Sequence, residues 1–413
     1  MRYNIRMKFL TIEQALAWIT SQRRDGSKFE RFLNVVNKLN HPESALKIIH
    51  VAGTNGKGST VAFLRDGLMA LGYKVGTLTS PHLETHLDRI RVNDCNIDAD
   101  SFLEILNDYY DFFVQEELNM FEMDYLIMVE YFTRMKVDFA IVEVGMGGRL
   151  DSTNVVENPI LSIITTIGLD HTKELGTTKE LICKEKCGII KNHSHVLVGD
   201  LEEGCLTVVK ETVLAKQADL RTIKAYQEIE PRVFKYDGEI FKIESYAKYQ
   251  YHNASLAIAA LKYLNDLGYI DYDYVRVRAA MEKSHWAGRF EVLQQDPLVI
   301  IDGAHNIDGV KALCESIDAI DMPKVLLFSA IKTKKYDTMI EILKKHFDKI
   351  IMTSFEHPLI IDSEKVAKNH ELDYCSDFKE TYQKLIKEYP CVVISGSLYF
   401  VSTFLEYFKG QKA

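Results

Sequence analysis

Apolar residues recur three and four positions apart between Thr11 and Ser21, with Ile12, Ala15, Leu16 and Ile19 on one face. That period predicts an amphipathic helix. The polar stretch Gln22 to Lys28 breaks it, and a second helix is expected over Phe29 to Leu39, ahead of His41-Pro42. Lys47 to Val51 reads as a short apolar strand, and Ser59 to Leu71 as a helix that Gly72 stops. Lys74 to Thr79 predicts another strand, ended at Ser80-Pro81. Asp98 to Glu117 and Met123 to Met135 are helical by period. Phe139 to Val144 and Ile160 to Ile167 are nearly continuous apolar runs, as strands buried on both faces require. Thr177 to Cys187 predicts a helix with a Thr177/Glu180 capping-box pattern and Gly188 as its stop. His195 to Val198 is a further strand.

The pattern changes between Arg221 and Ile243, where alternating residues flank Asp237-Gly238, a hairpin signal. Helices are expected from Asn253 to Leu267 and from Asp273 to Lys283. From Glu291 onward, strands at Leu298–Ile301, Val325–Ser329, Lys349–Thr353 and Val392–Ser395 alternate with helices at Ile307–Ile320, Thr338–His346, Ser363–Asn369 and Phe378–Tyr389. Strand–helix alternation implies an α/β fold with a mostly parallel sheet in each half. Two domains are expected, 1–290 and 291–413, with the joint near Ser284 to Arg289 and no low-complexity linker marking it.

Composition narrows the function classes. With 413 residues, each domain is long enough to bury a full core. A net charge of −9 without a basic block argues against nucleic acid as the main partner. No run approaches the ~18 apolar residues of a membrane span, and the first twenty residues lack a signal-peptide pattern. The seven cysteines (Cys95, Cys183, Cys187, Cys205, Cys314, Cys375, Cys391) are odd in number and form no C-x-x-C pair, which reads as reduced thiols. A cytoplasmic protein, without membrane or nucleic-acid partners, is expected.

Between the first strand and its helix stands Gly53-Thr54-Asn55-Gly56-Lys57-Gly58-Ser59-Thr60. Three glycines let backbone N–H groups turn inward as a phosphate cradle, and the helix adds its positive end. Lys57 would reach the terminal phosphates; Ser59 or Thr60 could hold a metal through its hydroxyl. The usual G-x-x-x-x-G-K-[ST] spacing is not met, since position 51 is Val and Gly58 follows the lysine. Ligands of parallel sheets sit beyond the carboxyl ends of the strands. Ser80, Glu143, and Asp170 with His171 all follow such strands, and Asp302-Gly303-Ala304-His305-Asn306 repeats the placement in the second domain. Singly, each is an ordinary turn or strand-end residue; together they face one cleft.

These residues carry a family resemblance. HVAGTNGKGS, TSPHL, EVGMGGRLDSTN, ITTIGLDHT, EKCGIIK, WAGRFEV, DGAHN and GSLYF stand in this order over nearly the whole chain. The set resembles the folylpolyglutamate synthases, which with the bifunctional dihydrofolate synthases belong to the wider group of Mur ligases. The resemblance implies an ATP-binding P-loop domain, a smaller Rossmann-like domain, and catalysis between them. Thr54, Asn55, Gly56, Lys57, Gly58, Ser59 and Thr60 would hold the triphosphate, with Asn253, Arg289 and Asp302 completing the ATP site. Ser80, Glu143 and His171 would be ligands of Mg²⁺, expected as two ions, with the histidine the least expected on chemical grounds. Lys186 matches a carbamylated lysine, which turns a cation into an anion able to meet Mg²⁺. His305 would help position the terminal phosphate or the incoming amino acid. Phe121, Glu122, Asp151 and Thr153 would meet the folate, although Asn119 to Tyr125 lacks the family's usual threonine there. The Gln22 to Phe29 segment should meet the pterin, and Ala330 to Asp337 (AIKTKKYD) differs from the family's aspartate-rich loop.

The implied reaction is ATP-dependent addition of L-glutamate to the glutamyl carboxylate of a reduced folate, by a monomer. Joining glutamate to dihydropteroate, alone or as a second activity, is the alternative, and a Mur-type peptide ligase is further off. A phosphotransferase or a nucleotide-controlled binding module would not need the second domain with Arg289 and Asp302.

Overall fold

The computed structural model describes residues 8–22 and 29–411. The expected break and pterin-facing segment at 23–28 lie outside the described residues, as does 1–7. The first sheet has eight strands: β1 Ile48–Ala52, β2 Val75–Leu78, β3 Ile90–Val92, β4 Cys95–Asn96, β5 Phe139–Glu143, β6 Leu161–Ile164, β7 His195–Val198 and β8 Asp219–Thr222. Their order is β4-β3-β2-β5-β1-β6-β7-β8. All pairs are parallel except those made by β3. The central strands β1 and β5 are buried at every position, which explains their unbroken apolar sequence. Side chains alternate between faces. Ile48, Ala140 and Val142 pack with Phe32, Phe102 and Tyr125 from the helices of one layer. Ile49, Val51 and Ile141 pack with Leu64, Leu68, Ala257 and Leu261 from the other.

A three-stranded antiparallel sheet follows, β9 Tyr226–Glu230, β10 Val233–Tyr236 and β11 Glu239–Lys242. Its β10–β11 turn has Asp237 and Gly238 at φ 49° and 86°, the two positive angles a type I′ hairpin needs. The second large sheet has β12 Glu291–Gln295, β13 Leu298–Ile301, β14 Lys324–Phe328, β15 Lys349–Thr353, β16 Asp373–Cys375 and β17 Cys391–Ser395, in the order β12-β13-β17-β14-β15-β16. Only β12 is antiparallel. The α/β class and the mostly parallel sheets are as expected from the sequence.

Several elements differ from the pattern-based expectation. The helix after the phosphate loop is Lys57–Ala70, so Lys57 opens it. Asn253 lies a turn inside Tyr249–Asp266 and does not begin it. Thr178, not Thr177, caps Lys179–Lys186 by accepting from the Leu181 N–H, and Gly188 sits in a following 3₁₀ turn, Cys187–Ile189. The helices Glu203–Lys216 and Leu398–Gly410 and the strands β3, β4, β8, β9, β12 and β16 were not anticipated. Most of those strands are short or lie at sheet edges, where one exposed face weakens the apolar signal.

Candidate functional site

The strand β1 delivers the chain into the glycine loop. Gly56 stands at φ 83° in the cap position of Lys57–Ala70, and a Cβ there would come within 2.4 Å of Asn253 Oδ1. A Cβ on Gly58 would lie 2.8 Å from Trp286 Nε1. The loop is tied to the end of β6: the Thr54 N–H donates to the Thr166 carbonyl at 2.7 Å, and the Thr165 and Thr166 hydroxyls donate to the Asn55 carbonyl at 2.7 and 3.0 Å. Lys57 folds back over this cradle, Nζ donating to the Gly53 carbonyl at 3.2 Å. Its ammonium is 3.7 Å from Glu143 Oε1. Ser59 and Thr60 are buried in the first turn, and the Thr60 hydroxyl has no protein partner.

Glu143 ends β5 with only 4% of its surface exposed. Burial pushes its pKa up, against the charges of Lys57 and Arg289 and the Ser80 backbone N–H. His171, in contrast, is nearly half exposed at φ 50°; partial desolvation of its ring, then the charge of Lys334, pull its pKa down. Asp170, its neighbour, is a hub. Lys334 from the second sheet's side donates to both its oxygens, at 2.7 and 2.9 Å. Asn306 Nδ2 donates at 3.1 Å, and His305 Nε2 lies 3.6 Å away. Burial alone would raise Asp170, but His305 and Lys334 hold it far below the usual carboxylate range. Asn55 and Asn306 exchange side-chain amide bonds at 2.9 and 3.2 Å, so the phosphate loop itself touches the second domain. His305 Nδ1 contacts the Gly303 carbonyl at 2.7 Å, and burial lowers the ring's pKa.

Asp302 is buried and accepts from the Tyr249 hydroxyl at 2.6 Å and from the Phe290 and Ala304 N–H groups at 2.8 Å each. Burial raises its pKa. Arg289 donates to the Gly303 carbonyl at 3.2 Å. A cleft of about 210 Å³ opens beside it, lined among others by Ser59, Gln250, Trp286, Arg289 and Phe290. Asn253 faces the loop glycine and donates to Gln250 Oε1 at 2.8 Å. The structure thus sets Asn253 against the loop at Gly56 and Asn306 against it at Asn55, with His305 beside Asp170, Arg289 at the Gly303 carbonyl and Asp302 beside Phe290 and Ala304.

Lys186 enters from behind. It is 4% exposed, and Nζ donates to the Gly53 carbonyl at 2.8 Å. Burial, then the charge of Lys57, lowers its pKa to about 7. Asp151 lies beside Phe121: a Cβ on Gly145 would meet Phe121 Cε1 at 2.8 Å and Asp151 Oδ2 at 3.2 Å. Of the other two expected substrate residues, neither is exposed. Glu122 closes a capping box with Asn119 and holds Arg31 at 2.5 Å. Thr153 is spent on Asp151 and His50. Arg31 lines a wide groove of about 990 Å³ with Phe29 and Leu150, so Glu122 acts on that groove through Arg31. Sequence reasoning missed Lys334, Tyr249 and His50. A loop lysine and a strand histidine carry no periodic signal; only the distances reveal them.

Two family models divide the chain: "Mur ligase middle domain" matches residues 51–261 and "Mur ligase, glutamate ligase domain" matches 288–398. The class is therefore that of the Mur-type ligases. The dihydrofolate synthase/folylpolyglutamate synthase of Bacillus subtilis is 33% identical, over 95% of this chain and 98% of its own. The chain belongs to the folylpolyglutamate synthase/dihydrofolate synthase family. Its fold matches Mycobacterium tuberculosis folylpolyglutamate synthase complexed with ADP at a TM-score of 0.88, with 24% identity over 96% of this chain and 98% of the other. A bifunctional folylpolyglutamate synthase/dihydrofolate synthase with Mn, AMPPNP and L-glutamate bound matches at 0.86, also 24% identical, over 98% and 100%.

Proposed function

We propose that the protein adds L-glutamate to the glutamyl carboxylate of a reduced folate, using ATP and releasing ADP and phosphate. The observation that carries this reading is that the glycine loop, with Lys57 3.7 Å from Glu143, bonds the second domain's Asn306 through Asn55, while His305 and Lys334 meet Asp170 just past β6 and Arg289 shares a cleft with Ser59. A carboxylate is a poor acyl donor because oxide is a poor leaving group. Attack of a folate carboxylate oxygen on the γ-phosphorus breaks the bond to ADP and forms an acyl phosphate. The glutamate amine then attacks the acyl carbon, loses a proton, and phosphate leaves with the former carboxylate oxygen. Lys57 and Arg289 neutralise the charge that builds on the transferring group. The cleft lined by Trp286 and Phe290 suits the adenine, and Asn253 and Asp302 frame the rest of the nucleotide.

The oxygen donors fit Mg²⁺. Glu143 is a buried carboxylate, and Ser80 follows the end of β2, the strand beside β5. No group of three His, Cys, Asp or Glu side chains gathers to hold a metal among the described residues, so Glu143 and Ser80 would hold Mg²⁺ together with phosphate oxygens and water. A bound Mg²⁺ supplies charge neutralisation at the phosphates. Lys186, whose pKa burial and Lys57 lower to about 7, suits carbamylation; the carbamate N–H would keep the bond to Gly53 and its new anion would be drawn to Lys57. Phe121 and Asp151 face the folate, with Glu122 and Thr153 behind them. We assign 1–290 to ATP and folate binding and 291–413 to glutamate ligation, in a cytoplasmic monomer. No helix among the described residues is long and apolar enough to cross a membrane.

The step is tested with folate carrying ¹⁸O in its terminal carboxylate. One label is expected in the released phosphate; unlabelled phosphate contradicts the acyl phosphate route.

A further inference from the structure

We infer that His50 is a positioning residue that fixes the substrate-facing carboxylate of Asp151 through the hydroxyl of Thr153. His50 is the only polar residue of β1 and has no exposed surface. Its register partners are Val142 and Ser162. Nε2 lies 2.8 Å from Thr153 Oγ1, and Nδ1 has no protein partner.

The directions of these bonds follow from proton counting. The Thr153 hydroxyl donates its one proton to Asp151 Oδ1 at 2.6 Å. It can then only accept from His50, so Nε2 carries the imidazole proton. Asp151 Oδ1 also takes the Thr153 N–H at 3.0 Å, and Oδ2 takes the Met146 N–H at 2.9 Å. Three donors thus hold the carboxylate and oppose the upward pull of burial. Burial, then Lys191, holds His50 near a pKa of about 3, so Nε2–H persists as a donor at working pH. Without it the threonine hydroxyl is free to turn away. The same strand that leads into the phosphate loop therefore also sets the acceptor beside Phe121.

This inference rests on the placement of folate beside Asp151 proposed above, and two measurements separate its failure from that of the placement. In ¹⁵N-labelled protein, the His50 imidazole is expected to carry its proton on Nε2, unchanged between pH 5 and 8. A proton on Nδ1, or titration near the ordinary histidine pKa of about 6.5, overturns the relay whatever the substrate is. In steady-state kinetics, His50→Leu and Thr153→Val should each raise the folate KM about tenfold and leave the ATP KM unchanged. His50→Gln, which keeps a donor, should stay within about twofold, and the double variant should be no worse than Thr153→Val. Equal damage in His50→Gln and His50→Leu, additive losses, or an unchanged folate KM overturns the inference. If His50→Leu does not fold, the ¹⁵N measurement on the wild type and His50→Gln decide the matter. A wild-type protein inactive on folate, with the Nε2 proton in place, would fault the placement and uphold the relay.

Discussion

At the scale of single residues, Lys57 and Lys186 share the Gly53 carbonyl but differ in surroundings. Lys57 is partly exposed and lies 3.7 Å from Glu143, so Lys57→Ala should cost about 10³-fold or more in turnover while the folded state persists. A folded variant with near-normal ATP affinity and rate contradicts its assignment. Lys186 is enclosed, and its pKa of about 7 lies well below that of an unfolded lysine, about 10.4. Between those values the unfolded chain binds more protons, so stability in carbon-dioxide-free buffer should rise with pH over that window. The burial cost is fully present below pH 7 and gone above about 10.4. Denaturant unfolding at pH 7 and 9 should show this rise in the wild type and not in Lys186→Met. Activity should fall on removal of bicarbonate and return faster at pH 8 than at pH 6, because carbamates form on the neutral amine. A bare ammonium in active, metal-loaded crystals contradicts the carbamate. The glycine loop and Lys57 were legible in the sequence because a strand, three glycines and a helix occur in mechanistic order. Lys334 and His50 were not, since what makes them matter is a partner 164 and 103 residues away.

At the scale of elements, the helix Lys179–Lys186 is held against the loop Gly145 to Asp151 by close backbone approach. The Arg149 N–H donates to the Glu185 carbonyl at 2.7 Å, and Asn154 Nδ2 bridges the Arg149 and Gly188 carbonyls at 3.0 and 3.1 Å. A Cβ on Gly188 would fall 2.3 Å from Arg149 Cα, where only backbone can give way. Gly188→Ala should therefore destabilise the protein by about 1–3 kcal/mol and lower kcat, by displacing Lys186. Thermal unfolding and turnover check both; an unchanged midpoint with full activity contradicts the packing argument. Continuous apolar runs disclosed the central strands, and Asp237-Gly238 disclosed the hairpin. The edge strands β4, β8 and β9 were hidden because their side chains are largely exposed and polar.

At the scale of the molecule, the second domain is held to the first through Asp170–Lys334 and Asn55–Asn306. The Asp170 and Lys334 side chains are about one-tenth exposed, so their attraction is little screened. Lys334→Met should leave Asp170 buried without its cation and favour an open arrangement, with a larger radius of gyration by small-angle scattering and lower kcat. Scattering and kcat equal to wild type contradict this role. The division into two α/β units was legible from strand–helix alternation; how they close was not, because closure depends on pairs between domains. The central claim is that both domains serve one amide-forming reaction on folate. Its most direct test is turnover of the purified protein with ATP, Mg²⁺ and L-glutamate against tetrahydrofolate, dihydropteroate and a cell-wall nucleotide precursor in separate reactions. Phosphate release should need both tetrahydrofolate and glutamate, with a product heavier by one glutamyl unit. Product from dihydropteroate alone would make it a dihydrofolate synthase, and product only from the cell-wall precursor, or phosphate release indifferent to every acceptor, would contradict the account.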